Sequence, residues 1–345
     1  MPAGSAFPTL PIAAFFAAAL LCFALTPLAI RIAWAIGYLD HPEARKLHTD
    51  ATALLGGGVV FVSALAVWAI VMMFRPPMAT DWEAYYLIAG AALTLAVGLW
   101  DDRFGMQPGV KMLGQAAAAT ILIAGGLVPD LGLPIGIEAA ITLVALVALM
   151  NAVNFLDNMN GMVGGLAAIA LLGFAWTSLE RGALGVAAAQ LALAGACVGF
   201  LPHNFPRARI FLGDAGSLFL GYSLGASALM TLQGAAPGWG RVGPLIVLAY
   251  PAFDMIFVIL TRMRDGRPIY RGGRDHTNHR LVSVLKCPKT TVVMLWASGA
   301  VLASAGISIL HLNQPGPTLL LSGLLTILLC WSGLRLSSVP LASKA

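Results

Sequence analysis

The chain has 345 residues, 59% of them hydrophobic and only 10% charged, with a mean hydropathy of +0.85. Soluble domains carry about a quarter charged residues, which excludes a water-soluble globular protein, and the lack of short alternating segments excludes a membrane β-barrel. The net charge of +5 suits a surface facing anionic lipid headgroups and does not call for nucleic acid.

In chain order, apolar runs that can cross a roughly 30 Å hydrocarbon core fall near 11–33, 54–74, 84–100, 112–129, 137–153, 162–179, 183–201, 215–233, 243–261, 291–311 and 317–336. They predict an all-α polytopic integral membrane protein with about eleven transmembrane helices. The longest polar segment, 262–289, is too short for a soluble domain, so residues 1–345 read as one unit with that long loop inside it. Of the 20 basic residues, only Arg75, Arg181 and Arg241 fall in one set of loops. That bias places the other set in the cytoplasm, with the N-terminus outside and the C-terminus inside. The first charge is Arg31, so the first helix is expected to be retained rather than cleaved as a signal peptide. Cys22, Cys197, Cys287 and Cys330 show no paired spacing and are expected to be free thiols.

Carboxylates beside apolar runs are costly unless paired or metal-bound, and five polar segments carry them or their partners to the same face. The first, Asp40 to Gly58, brings Arg45, Lys46 and His48 ahead of a triple glycine. The second holds the adjacent Asp101 and Asp102, whose repulsion suits a general base, a metal site, or an interfacial pair with Arg103. In the third, Asn151, Asn154, Asp157 and Asn160 interrupt an otherwise apolar handover between two spans. The fourth sets Asp214 between glycines at a helix start, where it can cap the helix or hold Mg²⁺. The fifth, residues 271–281, carries His276, His279 and Arg280 and suits phosphate oxygens or a solvated basic loop. A cytoplasmic active site handling phosphate with Mg²⁺ accounts for all five together.

These segments, read in order as D-x-P-x-x-R-K-x-H from Asp40, the Asp101–Asp102 pair, N-A-x-N-x-x-D at Asn151, Asn154 and Asp157, F-L-G-D-A-G-S around Asp214, and a final His279-Arg280-Leu281, resemble the polyprenyl-phosphate N-acetylhexosamine-1-phosphate transferases. The likeness spans essentially the whole chain. It implies transfer of a sugar-1-phosphate from a UDP-sugar to undecaprenyl phosphate at the cytoplasmic face of the bacterial plasma membrane, with UMP released and a cell-envelope polysaccharide begun. By the same likeness Asp214 ligates Mg²⁺, or Mn²⁺ in its place, and Asp101 and Asp102 flank the lipid phosphate as catalytic residues. Asn151, Asn154, Asp157 and Asn160 line the nucleotide site with Lys46, while His276, His279 and Arg280 face the diphosphate or sugar. A homodimer is compatible with the family pattern.

The chain departs from that pattern at Gly105, Asn160 and Asn278, where the family has two aspartates and a histidine, and at Ala51 and Ala53, where it has prolines. We read these as marks of a subgroup with its own donor sugar. The long loop before His279 favours UDP-GlcNAc over UDP-MurNAc-pentapeptide. A transporter is the alternative of another class, and Asp254, deep in a span, is the residue that suggests it.

Overall fold

The computed structural model describes residues 9–41, 51–74, 81–268, 273 and 275–339. Its α-helices are α1 (Thr9–Ala35), α2 (Gly56–Met73), α3 (Asp81–Phe104), α4 (Pro108–Ala124), α5 (Ile135–Leu156), α6 (Met162–Glu180) and α7 (Leu184–Asn204). They continue with α8 (Gly213–Gln233), α9 (Gly243–Val247), α10 (Ala249–Arg264), α11 (Thr277–Leu285), α12 (Pro288–Leu312) and α13 (Pro315–Ser337). Among the described residues nine helices are long and apolar enough to cross a membrane, and the bent α9–α10 pair makes a tenth if it is one span.

Two of the expected runs differ from their helices for identifiable reasons. α4 starts earlier, with Pro108 in its first turn, and stops at Gly125–Gly126, so its 17 residues reach only roughly 26 Å. The run 243–261 is broken, with the axes on either side of Leu248 bent by 68°. Pro251 lacks the N–H that would bond the carbonyl of Val247, and its ring opposes a continuous helix there. The fold is also not purely helical. β1 (Leu39–Asp40) and β2 (Thr52–Ala53) form a short antiparallel pair, Leu39 opposite Ala53 and Asp40 opposite Thr52. Buried loop backbone needs partners, and Ala53 also accepts from the Phe211 N–H while Gly56 and Gly57 donate to the carbonyls of Phe211 and Leu212. The segment before α8 is thereby tied to the start of α2.

α8 sits at the centre and is almost wholly buried, whereas α13 has few buried residues. Small residues make the centre possible: Gly221 rests on the Met150 backbone of α5, and Gly195 and Gly199 of α7 lie against the carbonyls of Phe15 and Ala19 of α1. Small side chains four apart are how helices approach closely where the surroundings are as apolar as the helices themselves. Outward-facing leucines, isoleucines and phenylalanines cover the periphery. Exposed Trp34, Trp100 and Trp331 mark one end of the bundle and Tyr85, Trp176 and Trp239 the other, like the aromatic belts at membrane–water boundaries. All four cysteines are free thiols, as expected.

Candidate active site

At the end of the bundle marked by Trp34 and Trp100, the C-termini of α3 and α5 meet the N-terminus of α8. α8 opens at Gly213, whose φ of +74° and whose position, where a Cβ would lie 2.6 Å from Asp102 Oδ2, both require glycine. The first N–H groups of a helix have no partner within it. Here carboxylates take them: Asp102 accepts from Asp214 N–H at 2.8 Å and Ala215 N–H at 3.0 Å, and Asp157, the residue ending α5, accepts from Gly213 N–H. Burial, then the nearby Asp214 carboxylate, push the Asp157 carboxyl up to about 8.

Asp101 meets different partners. One oxygen accepts from Met106 N–H at 2.6 Å and the other pairs with Lys111 Nζ at 2.8 Å. Lys111 also reaches Asp214 at 2.5 Å and Asn154 Oδ1 at 3.1 Å, so an ammonium with three donors has three oxygen acceptors. Asn154 completes the network by donating to Asp214 at 2.7 Å and to Ser217 Oγ at 2.8 Å. Arg103 is not the partner of the aspartate pair; its guanidinium turns to the carbonyls of Gly37 and Ile36 and stacks on Tyr38. Four carboxyl groups thus gather near the start of α8, two of them on the Lys111 ammonium and two on the N–H groups of that helix's first turn. Two carboxylates and an amide oxygen around a cation form the all-oxygen donor set that suits a hard divalent ion keeping waters and substrate phosphates. Among the described residues no group of three or more His, Cys, Asp or Glu is arranged to hold a metal unaided.

Asn151, one turn earlier on α5, exchanges hydrogen bonds with Gln115 of α4 at 2.6 and 3.3 Å and donates to the Val147 carbonyl. It ties α4 to α5 beneath the carboxylates. Asn160 donates to the Pro206 carbonyl at 3.1 Å, on the loop between α7 and α8. Asn278 is fully buried and donates to Asn158 Oδ1 at 2.6 Å, which fastens α11 to the turn between α5 and α6. Gly105 occupies a left-handed position, φ +70°, where its N–H closes α3 on the Asp101 carbonyl. A helix stop of that kind favours glycine and delivers the chain to α4 and Lys111. Lys46 lies outside the described residues.

α11 is held by a second buried cluster. Asp254 of α10, with no exposed surface, accepts from His276 Nδ1 at 2.7 Å, Thr277 N–H at 2.8 Å and Thr277 Oγ1 at 2.6 Å. The carboxylate that suggested a transport site is therefore engaged in anchoring the N-terminus of α11. The His276 ring stands edge-on to His279, centroids 6.2 Å apart, and to Phe155 at 6.3 Å, which brings the histidines beside the end of α5. Arg262 and Asp275 form a bidentate pair at 2.8 and 2.7 Å, and this pairing draws the Asp275 carboxyl down to about 2.

Arg280 departs from its expected place at the diphosphate. Its buried guanidinium donates to the carbonyls of Leu336, Ser337 and Val339 and to that of Asp275. Adjacent residues on a helix face different sides, so Arg280 turns to α13 where His279 does not. Lys111, Gln115 and Ser217 are the residues that the sequence reading did not assign to the site.

A model of glycosyl transferase family 4 matches residues 84–232, the stretch carrying Asp101, Asp102, Lys111, Asn154, Asp157 and Asp214. The chain is 32% identical over 312 residues to an undecaprenyl-phosphate alpha-N-acetylglucosaminyl 1-phosphate transferase of Pasteurella multocida, covering 84% of this chain and 85% of that one. The enzyme of the same name in Haemophilus influenzae is 30% identical over 312 residues, 85% and 84% of the two chains. A decaprenyl-phosphate N-acetylglucosaminephosphotransferase of Mycolicibacterium smegmatis is 29% identical over 331 residues, 86% and 80% of the two chains. With the likeness running through the carboxylate cluster and across most of each relative, the chain belongs to glycosyl transferase family 4, among the polyprenyl-phosphate sugar-phosphate transferases.

Proposed function

We propose that the chain transfers GlcNAc-1-phosphate from UDP-GlcNAc to undecaprenyl phosphate at the cytoplasmic face of a bacterial plasma membrane, with its N-terminus outside and its C-terminus inside. The observation that carries this reading is Lys111 enclosed by Asp101, Asp214 and Asn154 at the mouth of α8. Such a cluster holds exchangeable positive charge where two mutually repelling phosphates must meet. The relatives' names, which specify GlcNAc and a prenyl phosphate, support the choice of donor and acceptor.

In the reaction an oxygen of the lipid phosphate bonds to the sugar-bearing phosphorus of the donor, and the bond from that phosphorus to the bridging oxygen breaks, releasing UMP. Asp214 and Asp101 are the residues that would hold Mg²⁺ or Mn²⁺, which when bound supplies charge neutralisation to the phosphates. Lys111 stays among the phosphate oxygens as a monovalent charge. Asp102 and Asp157 act as positioning residues, since their oxygens hold the first turn of α8. Asn154 orients Asp214, and His276, steadied by Asp254, faces the donor with His279.

Purified protein with undecaprenyl phosphate, Mg²⁺ and a panel of UDP-sugars tests the reading by UMP release and lipid-linked product. Release with UDP-GlcNAc and its loss in EDTA are expected. No UMP from any donor overturns the transfer, and undiminished release in EDTA overturns the metal.

A further inference from the structure

Away from the carboxylates, toward the end of the bundle where α6 gives way to α7, lies a cavity of about 410 Å³, within the roughly 300–1,000 Å³ of ligand pockets. Its walls are mostly apolar side chains of α2, α3 and α8, with Ser223 and Ser227 of α8 among them, and α7 and the turn before it form the floor. α2 and α3 both pack on α8 but barely touch each other, and among the described residues the gap between them is lined by half-buried Leu65, Trp68, Leu87 and Ile88. One polar group of its lining is left unpaired. Gln190, 4% exposed, accepts from Ser178 through Oε1 at 2.8 Å, while its Nε2 has no partner among the described residues and the residue lines the cavity. Walls this apolar hold little water, and a buried amide donor without an acceptor is costly.

The cavity does not continue into the active site. Toward the carboxylates the three helices close on one another, where Gly57 of α2 meets Gly216 and Gly98 of α3 meets Ala215, so closely that a Cβ would come within 2.2 and 2.3 Å of α8 backbone. A passage through the protein interior from the carboxylates into this space is thereby closed. The chemistry of Gln190 points the same way, because an isoprenoid chain is hydrocarbon beyond its phosphate and offers the amide no acceptor. An acyl lipid does, in its ester carbonyl.

We propose that this cavity is a binding site for a phospholipid of the bilayer, entered sideways between α2 and α3, with one acyl chain in the cavity and its ester carbonyl accepting from Gln190 Nε2. The site is separate from the transfer reaction and rests only on the membrane-spanning reading of the helices.

Native mass spectrometry of the full chain after detergent exchange should show one retained phospholipid per protein. Gln190→Leu should cut that retention roughly fivefold to tenfold, the loss of one hydrogen bond, and Ser227→Phe, which fills the space, should abolish it. In nanodiscs of wild-type protein, a phospholipid with a diazirine at its chain end should label α2, α3, α8 or the floor formed by α7 and the turn before it, within 61–72, 84–91, 219–230 or 182–193. Adducts confined to other helices, retention of a polyprenyl phosphate instead, or equal retention by wild type and both variants would overturn the proposal. UMP release, measured separately, reports on the transferase reading alone.

Discussion

Replacing Lys111 with methionine removes the ammonium that pairs with Asp101 and Asp214 while keeping much of the side chain's bulk. At 2.8 Å to Asp101 and 2.5 Å to Asp214, each pair contributes about 6 kcal/mol of Coulomb attraction at an effective dielectric near 20. Desolvation takes back much of this, and the 35% exposure of the Asp214 side chain adds solvent screening. A net loss of about 3 kcal/mol is left for stranding two carboxylates face to face. In EDTA the midpoint of thermal unfolding in detergent should therefore fall by roughly 5–8 °C. Excess Mg²⁺ should restore most of it, because a divalent ion then neutralises Asp101 and Asp214 without competition from the ammonium. Turnover should not return with stability, since a lost charge at the reacting phosphates costs roughly 10²–10³ in kcat. Lys111→Arg separates the two effects: it keeps the charge and most of the stability, but its planar fork does not match three acceptors arranged around a point. UMP release and melting, each measured with and without Mg²⁺, decide the matter. Wild-type turnover in Lys111→Met together with an unchanged midpoint in EDTA would refute the reasoning.

Asp102→Ala should lower stability by about 1–3 kcal/mol by leaving two buried N–H groups of α8 without acceptors, and Asp102→Asn, which retains one acceptor oxygen, should recover part of it; equal melting of both variants and wild type would contradict the capping role. Asp157 holds its proton up to about 8 in the folded chain but gives it up near 4 when unfolded. The unfolded state therefore binds fewer protons between those values, so the metal-free protein should lose stability as pH rises from 5 to 8, and Asp157→Asn should flatten that slope in a melting series. Asp254→Asn loses the acceptor for either His276 or Thr277 and should reduce UMP release by roughly tenfold or more, with a smaller change when Thr277→Val removes only the hydroxyl contact. Asp275→Ala leaves the buried Arg262 without its bidentate partner and should cost about 3–5 kcal/mol in thermal or denaturant unfolding.

Much of the cluster was legible because a polar residue in so apolar a chain must be gathered with others. Asp101, Asp102, Asn154, Asp157 and Asp214 were singled out on that ground and do converge on the start of α8. Lys111 was not, since a basic residue near a helix start is also what sets membrane orientation. The overlooked signal was Gln115 four residues on, which puts two polar groups on one face of an apolar helix. The partners of Asp254 lie 22 and 23 residues away on another element, and no local spacing encodes such a pairing. Arg280 was grouped with His279 by adjacency, although adjacent helical residues diverge. The two-residue strands have no periodicity to read, whereas the bend at Leu248 was written in Pro251.

The attachment of Arg280 to the last carbonyls of α13 has a practical side. Leu336, Ser337 and Val339 are clasped by the same short helix that carries His279 and is preceded by His276, so the segment 336–339 serves as a bracket for the two histidines. A truncation that begins before Val339 removes acceptors of Arg280, loosens that bracket and would imitate an active-site defect. Loss of turnover in a shortened chain therefore has to be separated from damage to the carboxylates before it is assigned to chemistry.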